Sequence, residues 1–180
     1  MQTVKMVVTG PFAAGKTEFI RTISEIDVVS TERKITSDAE RIKDATTVAM
    51  DFGRITVDEE LVLYLFGTPG QKRFDFMWEI LSEGMLGFIV IVDSSRPETF
   101  REARGILDTF RGYAETPYVI AANKQDHEDA WSPDDLRSAL KLSKDIKVLP
   151  CVANDKDLVK GVLLELLYSI LETMDLEGAT

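Results

Sequence analysis

Residues 10–17 have the composition and spacing of a phosphate-binding loop, with the pattern G-x-x-x-x-G-K-[ST]. In such a loop, backbone N–H groups surround phosphate oxygens, the lysine contacts the β- and γ-phosphates, and the hydroxyl ligates Mg²⁺. The context fits, because an apolar strand-like run precedes the segment and a helix-like run follows it. We therefore predict a phosphate site made of eight residues: Gly10, Pro11, Phe12, Ala13, Ala14, Gly15, Lys16 and Thr17.

The elements that position this loop alternate between strand-like and helix-like runs, which predicts a mostly parallel sheet with helices on both faces. Residues 48–57 and 61–66 are both strand-like, and a parallel crossover needs more chain than residues 58–60 provide, so we expect an antiparallel pair. Three later runs are apolar almost throughout, as in strands buried on both faces: residues 86–93, 118–122 and 147–152. We expect an α/β fold with a six-stranded sheet, one antiparallel edge strand and a single domain over residues 1–180.

Composition restricts the partners and the compartment. The net charge of −10 argues against nucleic-acid binding and against electrostatic adhesion to anionic lipid. The single cysteine, Cys151, excludes an internal disulfide and is typical of a reducing cytosol. The longest apolar run, residues 85–92, is too short to cross a bilayer, and we recognise no lipidation or secretion signal. We expect a cytoplasmic protein without a direct membrane anchor.

A second motif, Asn123-Lys124-Gln125-Asp126, follows the strand-like run 118–122. Because ligands of open α/β sheets bind beyond the carboxyl ends of the strands, we expect it on the same rim as the phosphate loop. With this motif the chain resembles the Ras-like small GTPases, a family with the P-loop NTPase fold whose guanine motif is N-K-x-D. The resemblance implies that Asp126 accepts hydrogen bonds from guanine, that Lys124 lies along the base, and that Asn123 ties this loop to the phosphate loop.

The same resemblance implies a third loop and a guanine ligand. Where many family members have S-A-K, this chain has Val152-Ala153-Asn154, and the Ala153 N–H would donate to guanine O6. Adenine presents an acceptor at N1, where guanine presents a donor to the carboxylate, so a site built around Asp126 would reject adenine strongly. The implied ligands are GTP and GDP with Mg²⁺.

The family's switch segments have counterparts here. The first switch supplies a threonine that binds Mg²⁺, and we assign this role to Thr47, with its neighbour Thr46 as the alternative. The second switch normally reads D-x-x-G-Q. In this chain Gly70 would donate its N–H to the γ-phosphate, while Gln71 would orient the attacking water beside Lys16, the other residue assigned to catalysis.

One departure from the family's second-switch pattern points to a subfamily. Gly67 stands where the family has an aspartate that supports the metal. The segments 47–52 and 68–71 are similar to prokaryotic MglA-type switches and to related GTPases encoded beside Roadblock-type partners. We hypothesise that Asp51, on the neighbouring strand, replaces the missing carboxylate at Mg²⁺. The alternative is a carboxylate held by local N–H groups at the end of a strand.

A second departure concerns hydrolysis. Phe12 stands where small GTPases commonly have glycine, and a bulky ring there should crowd Gln71 or its water. No arginine is placed by position alone as an internal arginine finger, although Arg73 is a candidate. We predict slow intrinsic hydrolysis that a partner protein accelerates. A protein that binds GTP or GDP without hydrolysing it remains the main alternative, and a small-molecule kinase with a phosphate loop is a third.

Partner binding is expected at the second switch. The segment 74–78 has four large apolar side chains in five positions, more than one helix face can bury. One or two of them should be exposed and available to a regulator, which the resemblance implies is of the Roadblock type.

Overall fold

The computed structural model describes the backbone of residues 1–35 and 46–178 and the side chains of residues 1–28 and 50–178. The described strands form one sheet: β1 (Gln2–Thr9), β2 (Val29–Ile35), β3 (Thr46–Thr56), β4 (Leu61–Gly67), β5 (Gly87–Asp93), β6 (Tyr118–Asn123) and β7 (Val148–Pro150). The α-helices are α1 (Lys16–Ile23), α2 (Phe76–Ser82), α3 (Phe100–Tyr113), α4 (Pro133–Ala139) and α5 (Lys156–Gly178). Two short 3₁₀ turns, Lys72–Phe74 and Pro97–Thr99, precede α2 and α3.

The strand order is β2-β3-β4-β1-β5-β6-β7, and the pairs from β4 to β7 are all parallel. The predicted α/β fold, with a mostly parallel sheet, is therefore confirmed. The predicted pair of strands, now β3 and β4, is antiparallel as expected, with Asp51 opposite Gly67.

The sheet differs from the prediction at its edge. Strand β2 pairs antiparallel with β3, so that the described sheet has seven strands and the antiparallel strand β3 lies second from the edge. The sequence of β2, VSTERKI, is polar along most of its length. A pattern search based on buried apolar faces misses such a strand, because backbone pairing with β3 defines it.

Two apolar layers cover the central strands. Helices α1 and α5 pack on one face around Phe19, Ile20 and Leu166, whereas α2, α3 and α4 pack on the other around Phe88 and Phe110. All seven residues of β5 are buried, which explains its continuous apolar sequence.

Strand β1 lies at the centre, with β4 on one side and β5 on the other. The chain runs from β1 to the β2–β4 half and then crosses to β5, so the topological switch point lies beside β1. In open α/β sheets this is the rim where ligands bind. The loops after β1, β4, β5 and β6 converge there.

Candidate functional site

The loop between β1 and α1 has a left-handed backbone at three positions. Gly10, Ala13 and Gly15 all have positive φ, at 145°, 63° and 109°. A Cβ at Gly10 would collide with the Ile91 carbonyl oxygen, and a Cβ at Gly15 would collide with the side-chain amide of Asn123. Both glycines therefore allow close approach, the first to β5 and the second to the loop after β6.

Lys16 begins α1 and is buried. Its ammonium donates to the carbonyl oxygens of Gly10, at 2.7 Å, and Pro11, at 2.8 Å. Burial lowers the pKa of Lys16 to about 8, against the opposing effect of the Glu102 and Asp51 charges. The cation thus lies inside the loop, held by weak partners that a phosphate could replace.

Thr17 and Asp51 meet beside this lysine. The Thr17 hydroxyl donates to Asp51 Oδ2 at 2.5 Å. A Cβ at Gly67 would lie 3.1 Å from Asp51 Cβ and 3.4 Å from Oδ2, so Asp51 fills the space into which a side chain at position 67 would extend. Hydroxyl and carboxylate oxygens are ligands that suit Mg²⁺, and this pair fits the metal.

The two candidate first-switch threonines are described by their backbones alone. Thr46 and Thr47 lie in β3, where their backbones pair with Ile35 and Lys34. Their side chains lie outside the described residues, so the assignment of Thr47 to the metal stays a prediction.

The segment after β4 is anchored on both sides. The buried Thr68 hydroxyl donates to the Thr9 hydroxyl at 2.8 Å, and the Trp78 indole N–H donates to the Pro69 carbonyl at 2.9 Å. A Cβ at Gly70 would lie 2.6 Å from Lys16 Nζ and 2.7 Å from the Cα of Phe12. Gly70 therefore lies directly against the phosphate loop.

Gln71 and Phe12 line the same cleft, which has a volume of about 430 Å³. Gln71 Oε1 accepts a hydrogen bond from Arg73 Nε at 2.7 Å, and the Arg73 guanidinium lies 4.7 Å from the ring centroid of Phe74. The Phe12 side chain is 61% exposed, so its ring stands at the mouth of the cleft rather than packed within it.

The apolar segment 74–78 is divided between core and surface as predicted. Phe74 and Trp78 are buried, whereas Phe76 is 56% exposed. Ile80, one turn further along α2, is 63% exposed, so an apolar strip faces outward.

The loop after β6 is tied to the phosphate loop. Asn123 donates from Nδ2 to the Ala14 carbonyl at 2.8 Å and accepts at Oδ1 from the Ala153 N–H at 2.9 Å. One buried amide thus connects the three loops that the sequence predicts to form the site.

A second cavity, of about 370 Å³, adjoins the first, and the two share Gly15 and Glu18 in their walls. The predicted base-binding residues gather around it: Asn123, Lys124, Asp126, Val152, Ala153 and Asn154. Asp126 is exposed to solvent. The predicted phosphate and base residues therefore occupy adjoining halves of one cleft.

Sequence reasoning missed Asp93, the last residue of β5. This carboxylate is 2% exposed and its Oδ2 lies 2.8 Å from Lys124 Nζ. Its position at the carboxyl end of a buried strand, on the same rim as both motifs, was the signal that could have identified it.

Comparison with known proteins identifies a family to which most of the chain matches. A family model described as "Conserved hypothetical ATP binding protein" matches residues 27–180. An uncharacterized protein of Methanocaldococcus jannaschii is 32% identical over 126 residues, which cover 70% of this chain and 73% of that protein.

More distant similarity reaches small GTPases. A Ras-related protein of Saccharomyces cerevisiae is 28% identical over 135 residues, covering 72% of this chain and 63% of that protein. ADP-ribosylation factor-like protein 14 of Mus musculus is 27% identical over 111 residues, covering 59% and 57%. The match thus spans less than two thirds of these two proteins. In the described part of the chain, every helix is too short or too polar to cross a membrane.

Proposed function

The chain belongs to the family of conserved hypothetical ATP-binding proteins, and we propose that it is a guanine-nucleotide-dependent switch with slow GTPase activity. The observation that carries this proposal is the Asn123 amide, which joins the phosphate loop at Ala14 to the base loops at Ala153. A mononucleotide spanning the two adjoining cavities would place phosphates and base where the two motifs require them. We treat residues 1–180 as one Ras-like nucleotide-binding domain.

The proposed base is guanine, although the family description names ATP. Asp126 borders the second cavity together with Ala153. The Ala153 N–H, which the resemblance assigns to guanine O6, is bonded to Asn123 Oδ1 in this structure, so the proposed base recognition rests on Asp126. A carboxylate there would accept from the N1–H and the N2 amino group of guanine, whereas adenine would turn a lone pair toward it. GTP and GDP are therefore the proposed ligands.

The proposed metal is Mg²⁺, held by Thr17 with Thr47 as a second ligand. Because Asp51 accepts a hydrogen bond from the Thr17 hydroxyl, the lone pairs of that hydroxyl oxygen are directed away from the carboxylate and are available to a cation. Bound there, Mg²⁺ would neutralise charge on the β- and γ-phosphates. Asp51 would serve as the supporting carboxylate that Gly67 cannot supply.

Switching is supported by the contact of Gly70 with the phosphate loop. In the described conformation, too little space separates Gly70 from Lys16 for a phosphoryl group. Binding of a γ-phosphate would require the segment after β4 to move outward, whereas GDP leaves that space unused. The nucleotide state would thereby change the position of α2 and its exposed Phe76 and Ile80.

Slow hydrolysis is supported by the hydrogen bond that the Gln71 side chain makes. Its carbonyl oxygen, which would orient water, is already bonded to Arg73. A partner that withdraws Arg73 and repositions Gln71 would accelerate the reaction. We propose a regulator at α2, of the Roadblock type if the MglA-like resemblance extends to partners.

The same contact favours the second candidate, a protein that binds GTP or GDP without hydrolysing it. Two measurements separate the candidates. The nucleotide that co-purifies, identified by chromatography, should be GDP or GTP, and ATP or ADP would contradict the base assignment. Single-turnover hydrolysis of GTP should then be slow but lost in Gln71→Leu, whereas equal rates in both proteins would support the non-hydrolysing alternative.

A further inference from the structure

A buried carboxylate stands behind the base loop. Asp93 ends β5 and its backbone pairs with Asn123, the first residue of the base motif. The side chain is nearly inaccessible to solvent. Burying a charge at this position is costly unless it has partners, so the partners of Asp93 indicate what the charge is for.

Asp93 has partners at both oxygens. Oδ1 accepts from the Ser95 N–H at 3.0 Å and from the Ser95 hydroxyl at 2.6 Å, while Oδ2 faces the Lys124 ammonium at 2.8 Å. Burial by itself would raise the pKa of Asp93, but the hydrogen bonds from Lys124 and Ser95 outweigh it and lower that pKa. The carboxylate is therefore ionised and fixed in orientation at neutral pH.

Lys124 is constrained at both ends. Its backbone has φ of 62°, in the left-handed region that disfavours residues with a Cβ. Its ammonium reaches back to Asp93 and lies 3.5 Å from the Ala13 carbonyl. Between these two constraints, Lys124 is one of the residues that line the second cavity.

The rest of the base loop is held by other contacts. Gln125 Nε2 donates to the Ser94 hydroxyl at 3.1 Å and to the Trp131 carbonyl at 2.8 Å. Asn123 has its own bonds to Ala14 and Ala153. Asp93 thus acts on the side chain of Lys124, while the loop backbone has independent support.

From this geometry, and resting on the proposed function, we infer that Asp93 is a positioning residue for base recognition. By holding the Lys124 ammonium, it fixes the methylene stem as a rigid wall against the plane of the base. Without Asp93 the stem would move freely, and binding would lose the base-dependent part of the affinity but keep the phosphate-dependent part.

The test compares base-dependent with base-independent binding in the full chain. Displacement of a fluorescent GDP derivative is measured with GDP, ADP and inorganic tripolyphosphate, the last of which reports on the phosphate loop alone. The variants are Asp93→Asn, Lys124→Met and their combination. Glu98→Gln is the matched control, because Glu98 pairs with Arg96 at 3.0 Å on the exposed surface near the same rim.

We expect Asp93→Asn to weaken GDP binding about tenfold or more, the size of effect that follows from losing one hydrogen bond to a charged group. Tripolyphosphate binding should stay within about twofold, and Glu98→Gln should match the parent protein, as expected for exposed pairs. In the Lys124→Met background, Asp93→Asn should have no further effect, because Asp93 acts through Lys124.

Two results would overturn the inference. One is an equal loss of GDP and tripolyphosphate binding in Asp93→Asn. The other is that adding Asp93→Asn to Lys124→Met weakens GDP binding as much as Asp93→Asn weakens it in the parent protein. Ser95→Ala, which removes one hydroxyl bond and keeps the charge, is the milder second variant and should show the same selectivity for GDP. A parent protein that binds ADP as well as GDP would instead refute the proposed function itself.

Discussion

Exchanging the carboxylate between β3 and β4 would test the proposal that Asp51 supports Mg²⁺ in place of the usual aspartate. Asp51 and Gly67 are directly opposite each other in the antiparallel pair. We consider three variants: Asp51→Ala, Gly67→Asp, and the exchange Asp51→Gly with Gly67→Asp. The exchange returns one carboxylate to the same space from the opposite strand.

The contacts of Asp51 and Gly67 set the expected magnitudes. Hydrogen bonds to charged groups contribute roughly 1.5–3 kcal/mol, so losing the Thr17–Asp51 bond should accelerate Mg²⁺-dependent GDP release about tenfold to about a hundredfold. Gly67→Asp alone would place a Cβ 2.8 Å from Ile20 Cδ1 and 3.1 Å from Asp51 Cβ, with two carboxylates side by side. We expect overpacking to destabilise it by about 1–3 kcal/mol. The exchange removes the Asp51 contact and leaves only the flexible end of Ile20 to adjust.

The assay is release of a fluorescent GDP derivative with Mg²⁺ and with EDTA, alongside thermal unfolding of each variant. In the parent protein EDTA should accelerate release strongly. In Asp51→Ala that acceleration should largely disappear, and in the exchange variant it should return in part. An Asp51→Ala protein with the parent's response to EDTA would refute the metal role of Asp51, and would favour a carboxylate that only holds the end of the strand.

Three further predictions concern the phosphate loop and Gln71. Burial lowers the pKa of Lys16 to about 8, so GDP affinity should fall about tenfold from about pH 7 to about pH 9, with proton uptake at the higher pH in calorimetry. Because the unfolded chain then binds this proton more tightly than the folded one, the nucleotide-free protein should gain stability from about pH 8 to about pH 10.5, and a pH-independent affinity would contradict the assignment. Phe12→Gly should raise single-turnover hydrolysis about tenfold or more, by freeing the mouth of the cleft beside Gln71; an unchanged rate would show that the exposed ring does not hinder the reaction. Arg73→Ala should raise the same rate several-fold, since the lost bond to Gln71 is worth about 1 kcal/mol, and a slower variant would instead make Arg73 a catalytic group.

Local motifs made the phosphate and base loops predictable. Each depends on a short run of residues at the end of an apolar strand, and the strand order brings both runs to one rim. The opposition of Asp51 and Gly67 was also accessible, because the short connection at residues 58–60 forces β3 and β4 into an antiparallel pair.

Other features depend on contacts that sequence patterns do not encode. Strand β2 is polar and gains its pairing from β3, so it lacks the apolar alternation by which strands are predicted. The proposed role of Asp93 depends on its 2.8 Å pairing with Lys124, a contact between the end of β5 and the loop after β6 that neither segment encodes alone. The 61% exposure of Phe12 likewise depends on how the folded loop is placed, which the loop motif does not specify.

Base preference tests the central claim most directly. Displacement of a fluorescent GDP derivative by GDP, ADP and xanthosine diphosphate should be measured for the parent protein and for Asp126→Asn. We predict that GDP binds the parent at least about a hundredfold more tightly than ADP, and that Asp126→Asn loses GDP and gains the xanthosine nucleotide, whose O2 replaces the guanine amino group. Equal or tighter binding of ADP by the parent protein, unaffected by Asp126→Asn, would contradict a guanine-nucleotide switch.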